Sequence, residues 1–196
     1  MPFRSLIPSE PGWKTLGMEL EHDNPHLALY RIHVRTPSRP DGVPWALVHR
    51  KSATVIAPMT PDGRLLLIRQ ERVPVHATLW EFPAGQIDHP DAQDAILDTA
   101  RRELREETGY ELPPECEMIP LGMYFSSPGF TDEHCHLFLA RGVVPSPGGM
   151  RLDANEAIHE CRAFTPAEVR RMIAENEIRD ANTLSTFARL TALGLI

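Results

Sequence analysis

The stretch Arg102-Glu103-Leu104-Arg105-Glu106-Glu107-Thr108-Gly109 decides how the rest of the chain is read. Upstream of it, Ile96, Ala100 and Leu104 recur at i, i+4 and i+8, an apolar stripe that predicts a helix over roughly 92–108 with one side in a core. Asp91 suits the N-cap, and Gly109 suits the C-terminal stop because glycine adopts the left-handed conformation without strain. Glu103, Glu106 and Glu107 stand at i, i+3 and i+4, so three carboxylates project from neighbouring points on one side. Oxygen donors so close together suit a hard divalent cation, which takes a few protein carboxylates and completes its shell with water and substrate phosphates. A solvated surface helix is the alternative, since Glu and Arg are both good helix formers. Charge order weighs against it: Glu103 with Glu107 and Arg101 with Arg105 are like-charge i,i+4 pairs, each costing about 0.2–0.5 kcal/mol when nothing binds between them. Arg102 with Glu106 recovers only one such contribution, and spacing alone leaves both readings open.

Outward from the helix the pattern turns to short apolar runs. Trp45 to His49, Ala53 to Ala57 and Arg64 to Arg69 read as strands, the last two joined by Pro61-Asp62-Gly63, an Asp-Gly hairpin signal. A short strand at Leu79 to Phe82 enters Pro83-Ala84-Gly85. Beyond the helix, strands are expected at Ile119 to Phe125, Cys135 to Ala140 and His159 to Phe164. Thr165-Pro166-Ala167-Glu168 combines an N-cap, proline in the first helical position and Glu at the third, so helices are expected at about 166–176 and 182–193. Residues 1–45 read as irregular and Pro-rich except for Leu27 to Arg35, where Tyr30, Ile32 and Val34 alternate with polar partners; Thr36 to Gly42 then reads as a turn. The expected class is a mixed α/β or α+β sandwich around a central carboxylate helix, with residues 1–50 as a small N-terminal β element and 51–196 as the main domain.

Composition narrows the function classes. A net charge of −7 has the wrong sign for gripping DNA or RNA, and no Lys/Arg cluster compensates locally, so a phosphate-bearing substrate would need a cation. No run approaches the roughly 18 apolar residues of a membrane span, and the first residues lack the apolar stretch of a secretory signal, so the expectation is no membrane partner and a cytoplasmic location. Cys116, Cys135 and Cys161 are odd in number and lack a Cys-x-x-Cys pair, against a disulfide frame or zinc site. His134 and His136 alternate without a third ligand and read as ordinary strand residues.

Gly85, Asp94 and the run from Arg102 to Tyr110 resemble the signature of the Nudix hydrolases, Gly-x5-Glu-x7-Arg-Glu-(aliphatic)-x-Glu-Glu-x-Gly-(apolar). The second half matches residue for residue. The first half departs: eight residues separate Gly85 from Asp94, and Asp stands where Glu is usual, so a longer loop around His89-Pro90-Asp91 is expected. Ile68 to Arg72, Trp80-Glu81-Phe82-Pro83-Ala84-Gly85, Ser127-Pro128-Gly129-Phe130-Thr131-Asp132-Glu133 and Asp153-Ala154-Asn155-Glu156 resemble, in that order, segments of the ADP-ribose pyrophosphatase branch.

That resemblance implies a Nudix-type α/β/α sandwich and Mg²⁺-dependent hydrolysis of ADP-ribose to AMP and ribose 5-phosphate, with Mn²⁺ as the substitute metal. It implies metal ligation by Glu103 and Glu107, assisted by Glu106 and the backbone carbonyl of Ala84, with Arg102 beside them in the catalytic segment. Glu156 would be the base acting on the attacking water. Trp13 and Trp45 fall where the branch places base-stacking aromatics from two subunits, which implies a homodimer joined through the N-terminal element. Arg72 would hold the diphosphate; Arg50 and Glu133 are further substrate-binding candidates, and Arg69 a secondary one. Two alternatives stay open: the same chemistry on GDP-mannose or UDP-glucose, and a catalytically silent nucleotide-binding domain.

Overall fold

The computed structural model describes residues 10–87, 93–152 and 156–196, divided between two compact units. Asp91, the loop at 89–91, the side chain of Asp94 and residues 153–155 lie outside what is described.

The larger unit comprises Ala53–Tyr124 and Cys135–Ile196. Its sheet is built from β4 (Ala53–Met59), β5 (Leu65–Arg72), β6 (Ala77–Glu81), β7 (Ala84–Gln86), β9 (Met118–Phe125), β10 (His134–Arg141) and β12 (Ile158–Phe164). The order is β12-β5-β4-β10-β9, with β6 on β5 and β7 on the first residues of β4. The sheet is mixed: β4 and β10 run parallel, while β5 is antiparallel to β4, β6 and β12. Two-residue strands β8 (Tyr110–Glu111) and β11 (Val144–Pro145) pair separately.

Strand alternation sends side chains to two cores. Val55, Ala57, Leu65, Leu67, Leu137 and Leu139 pack against Val169 and Met172 of α2 (Pro166–Ala174) and Phe187 and Leu190 of α3 (Ala181–Ala192). Ile56, Leu66, Phe138 and Ala140 face the other way, onto Ala100 and Leu104 of α1 (Gln93–Thr108). The result is the α/β/α sandwich expected from the sequence. The capping box is formed: Thr165 Oγ1 accepts from the Glu168 N–H at 3.2 Å, and the Glu168 carboxylate accepts from the Thr165 N–H at 2.7 Å. Gly109 ends α1 at φ +71°, where an added Cβ would also press on the Met150 backbone nitrogen.

The smaller unit comprises, of the described residues, 10–52 together with Phe125–His134. Residues 14–24, read as irregular, form β1 (Lys14–Asn24), and the turn expected at Thr36 to Gly42 is mostly strand. With β2 (Leu27–Thr36) and β3 (Arg39–His49) these make an antiparallel sheet ordered β1-β2-β3. β1 is exposed along its whole length, so no buried alternation marks it. β3 tolerates Pro40 and Pro44 because it lies at an edge of the sheet, where a missing N–H leaves no ladder bond unmade.

Candidate active site

Pairing of β7 with the start of β4 sets Ala84 and Gly85 opposite Val55 and Thr54. A β-carbon at position 85 would overlap the carboxylate of Glu103, so glycine clears the space that this side chain fills. The Ala84 N–H donates to Glu107 Oε2 at 2.8 Å. Glu103 and Glu107, one helical turn apart, are therefore both turned inward and buried, at 5% and 2% exposure. Glu156 completes the group: one carboxylate oxygen from each of the three lies within 4.8 Å of the others.

Electrostatics make this arrangement costly without a cation. Burial pushes Glu103 up to about 7, against the pull of the Arg102 guanidinium, while the charges of Glu156 and Glu106 push it further. Burial raises Glu107 well above the usual carboxylate range, opposed by the Ala84 N–H, with Glu103 and Glu156 again adding to the rise. Three acidic oxygens gathered in a desolvated pocket repel one another, and a divalent cation among them removes both the repulsion and the cost of burial. The donor set, all oxygen and largely buried, fits a hard cation.

Arg102 and Glu106 occupy a different place. Arg102 donates through Nη1 to Glu106 at 2.7 Å and through Nη2 to Glu103 at 2.6 Å. Glu106 is thus tied to Arg102 and stands outside the three-carboxylate group, whereas Glu156, expected as a base, stands within it. Arg72 binds the buried Glu81 through Nε at 2.9 Å and Nη2 at 2.5 Å. In the sequence, the signal for Glu81 is an acid standing beside Phe82 in an apolar strand. Arg69 pairs with Glu160 at 3.5 Å and covers the Trp80 ring. The three cysteines are free, and burial lifts Cys161 to about 12, which keeps its thiol protonated.

Within the smaller unit, Trp13 and Trp45 line one cavity of about 420 Å³ with Ile32, Val34, Pro128 and Gly129. Both rings are about half exposed, and Trp45 Nε1 donates to the Gly129 carbonyl at 2.7 Å. Both tryptophans of a single chain line this cavity. The loop 126–133 is laced to the end of β3 and the residue after it: the Val48 N–H donates to Phe130 O at 2.8 Å, His49 Nδ1 lies 2.6 Å from Asp132, and Arg50 lies 3.0 Å from Glu133, which also accepts from Ser126 Oγ at 2.7 Å.

An α/β/α sandwich in which helix α1 turns paired glutamates into a buried, oxygen-lined pocket is the architecture of a carboxylate-helix protein. The NUDIX domain model matches residues 48–187. The chain is 29% identical to the ADP-ribose pyrophosphatase of Bacillus subtilis (strain 168) over 87% of its own length and 88% of that protein. It is 32% identical to the methanol dehydrogenase activator of Bacillus methanolicus over 70% and 71% of the two chains, and 28% identical to the GDP-mannose pyrophosphatase of Yersinia enterocolitica over 74% and 75%. A crystal structure described as an ADP compounds hydrolase superposes with a TM-score of 0.73 at 18% identity, over 97% of this chain and 100% of that one, a likeness of fold. The chain belongs to the NUDIX family and is a Nudix hydrolase.

Proposed function

We propose that the protein hydrolyses the diphosphate bond of a nucleoside diphosphate sugar in a Mg²⁺-dependent reaction, with ADP-ribose, cleaved to AMP and ribose 5-phosphate, as the preferred substrate. The observation that carries this reading is the gathering of Glu103, Glu107 and Glu156 at the inward side of α1. ADP-ribose pyrophosphatases and GDP-mannose pyrophosphatases among the relatives support the substrate class.

Glu103 and Glu107 would hold the cation, with the backbone carbonyl of Ala84 as a further ligand. The chemistry supplied at such a site is neutralisation of phosphate charge and acidification of water. Glu156 takes the proton from the attacking water, and its place among the carboxylates supports that role. Arg102 sets the rotamers of Glu103 and Glu106 through its two ion pairs. Arg72, oriented by Glu81, offers its remaining N–H groups to the diphosphate, for which a guanidinium fork is well shaped. Trp13 and Trp45 take the base between apolar walls, and Arg50 with Glu133 fixes the 126–133 loop that borders this pocket.

The protein acts as a cytoplasmic homodimer joined through residues 1–50, a reading supported by the exposure of Leu16, Met18 and Leu20 on β1. No described helix is long and apolar enough to cross a membrane. ADP-ribose, GDP-mannose, UDP-glucose and dinucleotides assayed side by side with Mg²⁺, with product identification, test the proposal. AMP from ADP-ribose as the fastest reaction supports it; preference for GDP-mannose would keep the chemistry and change the base; no product from any of them would remove it.

A further inference from the structure

Residues 81–84 are held by four different elements, and one hold comes from the far end of the chain. Glu81 is bound by Arg72 of β5, the Pro83 carbonyl accepts from the Ile56 N–H of β4 at 3.0 Å, and the Ala84 N–H donates to Glu107 of α1 at 2.8 Å. The Phe82 N–H donates to Thr183 Oγ1 at 2.8 Å, across 101 positions of sequence, in the first turn of α3. Thr183 is fully buried. Its hydroxyl donates to Asp180 Oδ2 at 2.8 Å, and the same oxygen caps α3 by accepting the Thr183 N–H at 2.7 Å. A carboxylate only accepts, so Asp180 points the hydroxyl proton toward itself and leaves an oxygen lone pair for Phe82.

We propose that Thr183, oriented by Asp180, is a positioning residue for the cation site: it fixes Phe82 and, two residues on, the Ala84 N–H that orients Glu107. The inference rests on the reading that Glu103 and Glu107, with Glu156 beside them, form a divalent-cation site. Pro83 between the two makes the coupling stiff, because its ring locks φ near −65° and removes one of the torsions that could absorb a shift of Phe82. A displaced Phe82 therefore carries Ala84 with it. Partners that orient metal ligands typically change metal affinity by about 10–100-fold when removed.

The test is Mn²⁺ binding to the full chain by titration calorimetry, without substrate. Thr183→Val, which keeps the shape and loses both hydrogen bonds, is expected to bind Mn²⁺ about tenfold or more weakly, and Thr183→Ser to recover wild-type affinity. Phe187→Leu, which loosens the packing of α3 but leaves the hydroxyl in place, is expected to bind as wild type. Wild-type affinity in Thr183→Val, or an equal loss in Phe187→Leu, would overturn the proposal. If Thr183→Val does not fold, Asp180→Ala replaces it: weakened binding supports the proposal and wild-type binding overturns it. Glu107→Gln separates the two levels: if it binds Mn²⁺ as tightly as wild type, the cation reading fails and the positioning role with it.

Discussion

Gly85 and Glu103 claim the same volume: a methyl group at position 85 would occupy the space taken by the Glu103 carboxylate. The glycine of β7 and the first glutamate of the helix segment, 18 positions apart, are thus two halves of one steric arrangement.

Gly85→Ala is therefore expected to displace Glu103 from the carboxylate group. Overpacking of this kind costs about 1–3 kcal/mol, so the melting temperature should fall by several degrees while Mg²⁺-dependent activity falls by much more than the folded fraction does. A variant with wild-type activity at saturating Mg²⁺ would show that Glu103 has another place to go.

The raised glutamates fix the sign of a pH effect. Burial holds Glu103 up at about 7 in the folded chain against the ordinary carboxylate value of 4.5 in the unfolded one, so between these values the native state binds more protons. Its contribution to stability is fully present below 4.5 and is lost as pH rises through about 7; Glu107 acts in the same direction. The metal-free protein should therefore lose stability across this window, Mg²⁺ should raise the melting temperature more above pH 7 than below it, and Glu103→Gln should flatten the metal-free slope. Thermal melts with and without EDTA across pH check this; a wild-type slope in Glu103→Gln would remove Glu103 as its source.

Glu156→Gln should lower kcat by about 10²–10⁴-fold, the usual contribution of a positioned base, with a smaller change in KM. Steady-state kinetics at saturating Mg²⁺ decide it, and an unchanged kcat excludes Glu156 as the base.

Trp13 is about half exposed, so Trp13→Ala should leave the melting temperature nearly unchanged. If it stacks on the base, about 1–3 kcal/mol of binding is lost, which raises KM for ADP-ribose by roughly tenfold. Unfolding of the variant would instead make Trp13 a structural residue.

The α/β/α core was legible because its strands and helices bury one side against each core, and burial writes itself into the sequence as period. Ile96, Ala100 and Leu104 mark α1; Val55 and Ile56 on opposite sides of β4 do the same for the sheet. The carboxylates were legible from spacing, although only the folded chain separates Glu106, tied to Arg102, from Glu103 and Glu107. β1 was only partly legible: Leu16, Met18 and Leu20 alternate as a strand's would, but the strand is exposed along its whole length, and Gly17, Asp23 and Asn24, poor strand formers, interrupt and end the pattern. The hold of Thr183 on Phe82 was equally hidden, since one threonine in an amphipathic helix carries no sign of a partner 101 positions away.

The most direct test of the cation-dependent hydrolysis proposed for α1 is a Mg²⁺ titration of the initial rate of ADP-ribose cleavage, run in parallel on wild type and Glu107→Gln. The expected result is a saturable rise with AMP as product for wild type and a flat baseline for a Glu107→Gln variant that still melts cooperatively. A Glu107→Gln protein that follows the wild-type curve, or a wild-type rate indifferent to Mg²⁺ and EDTA, would contradict it.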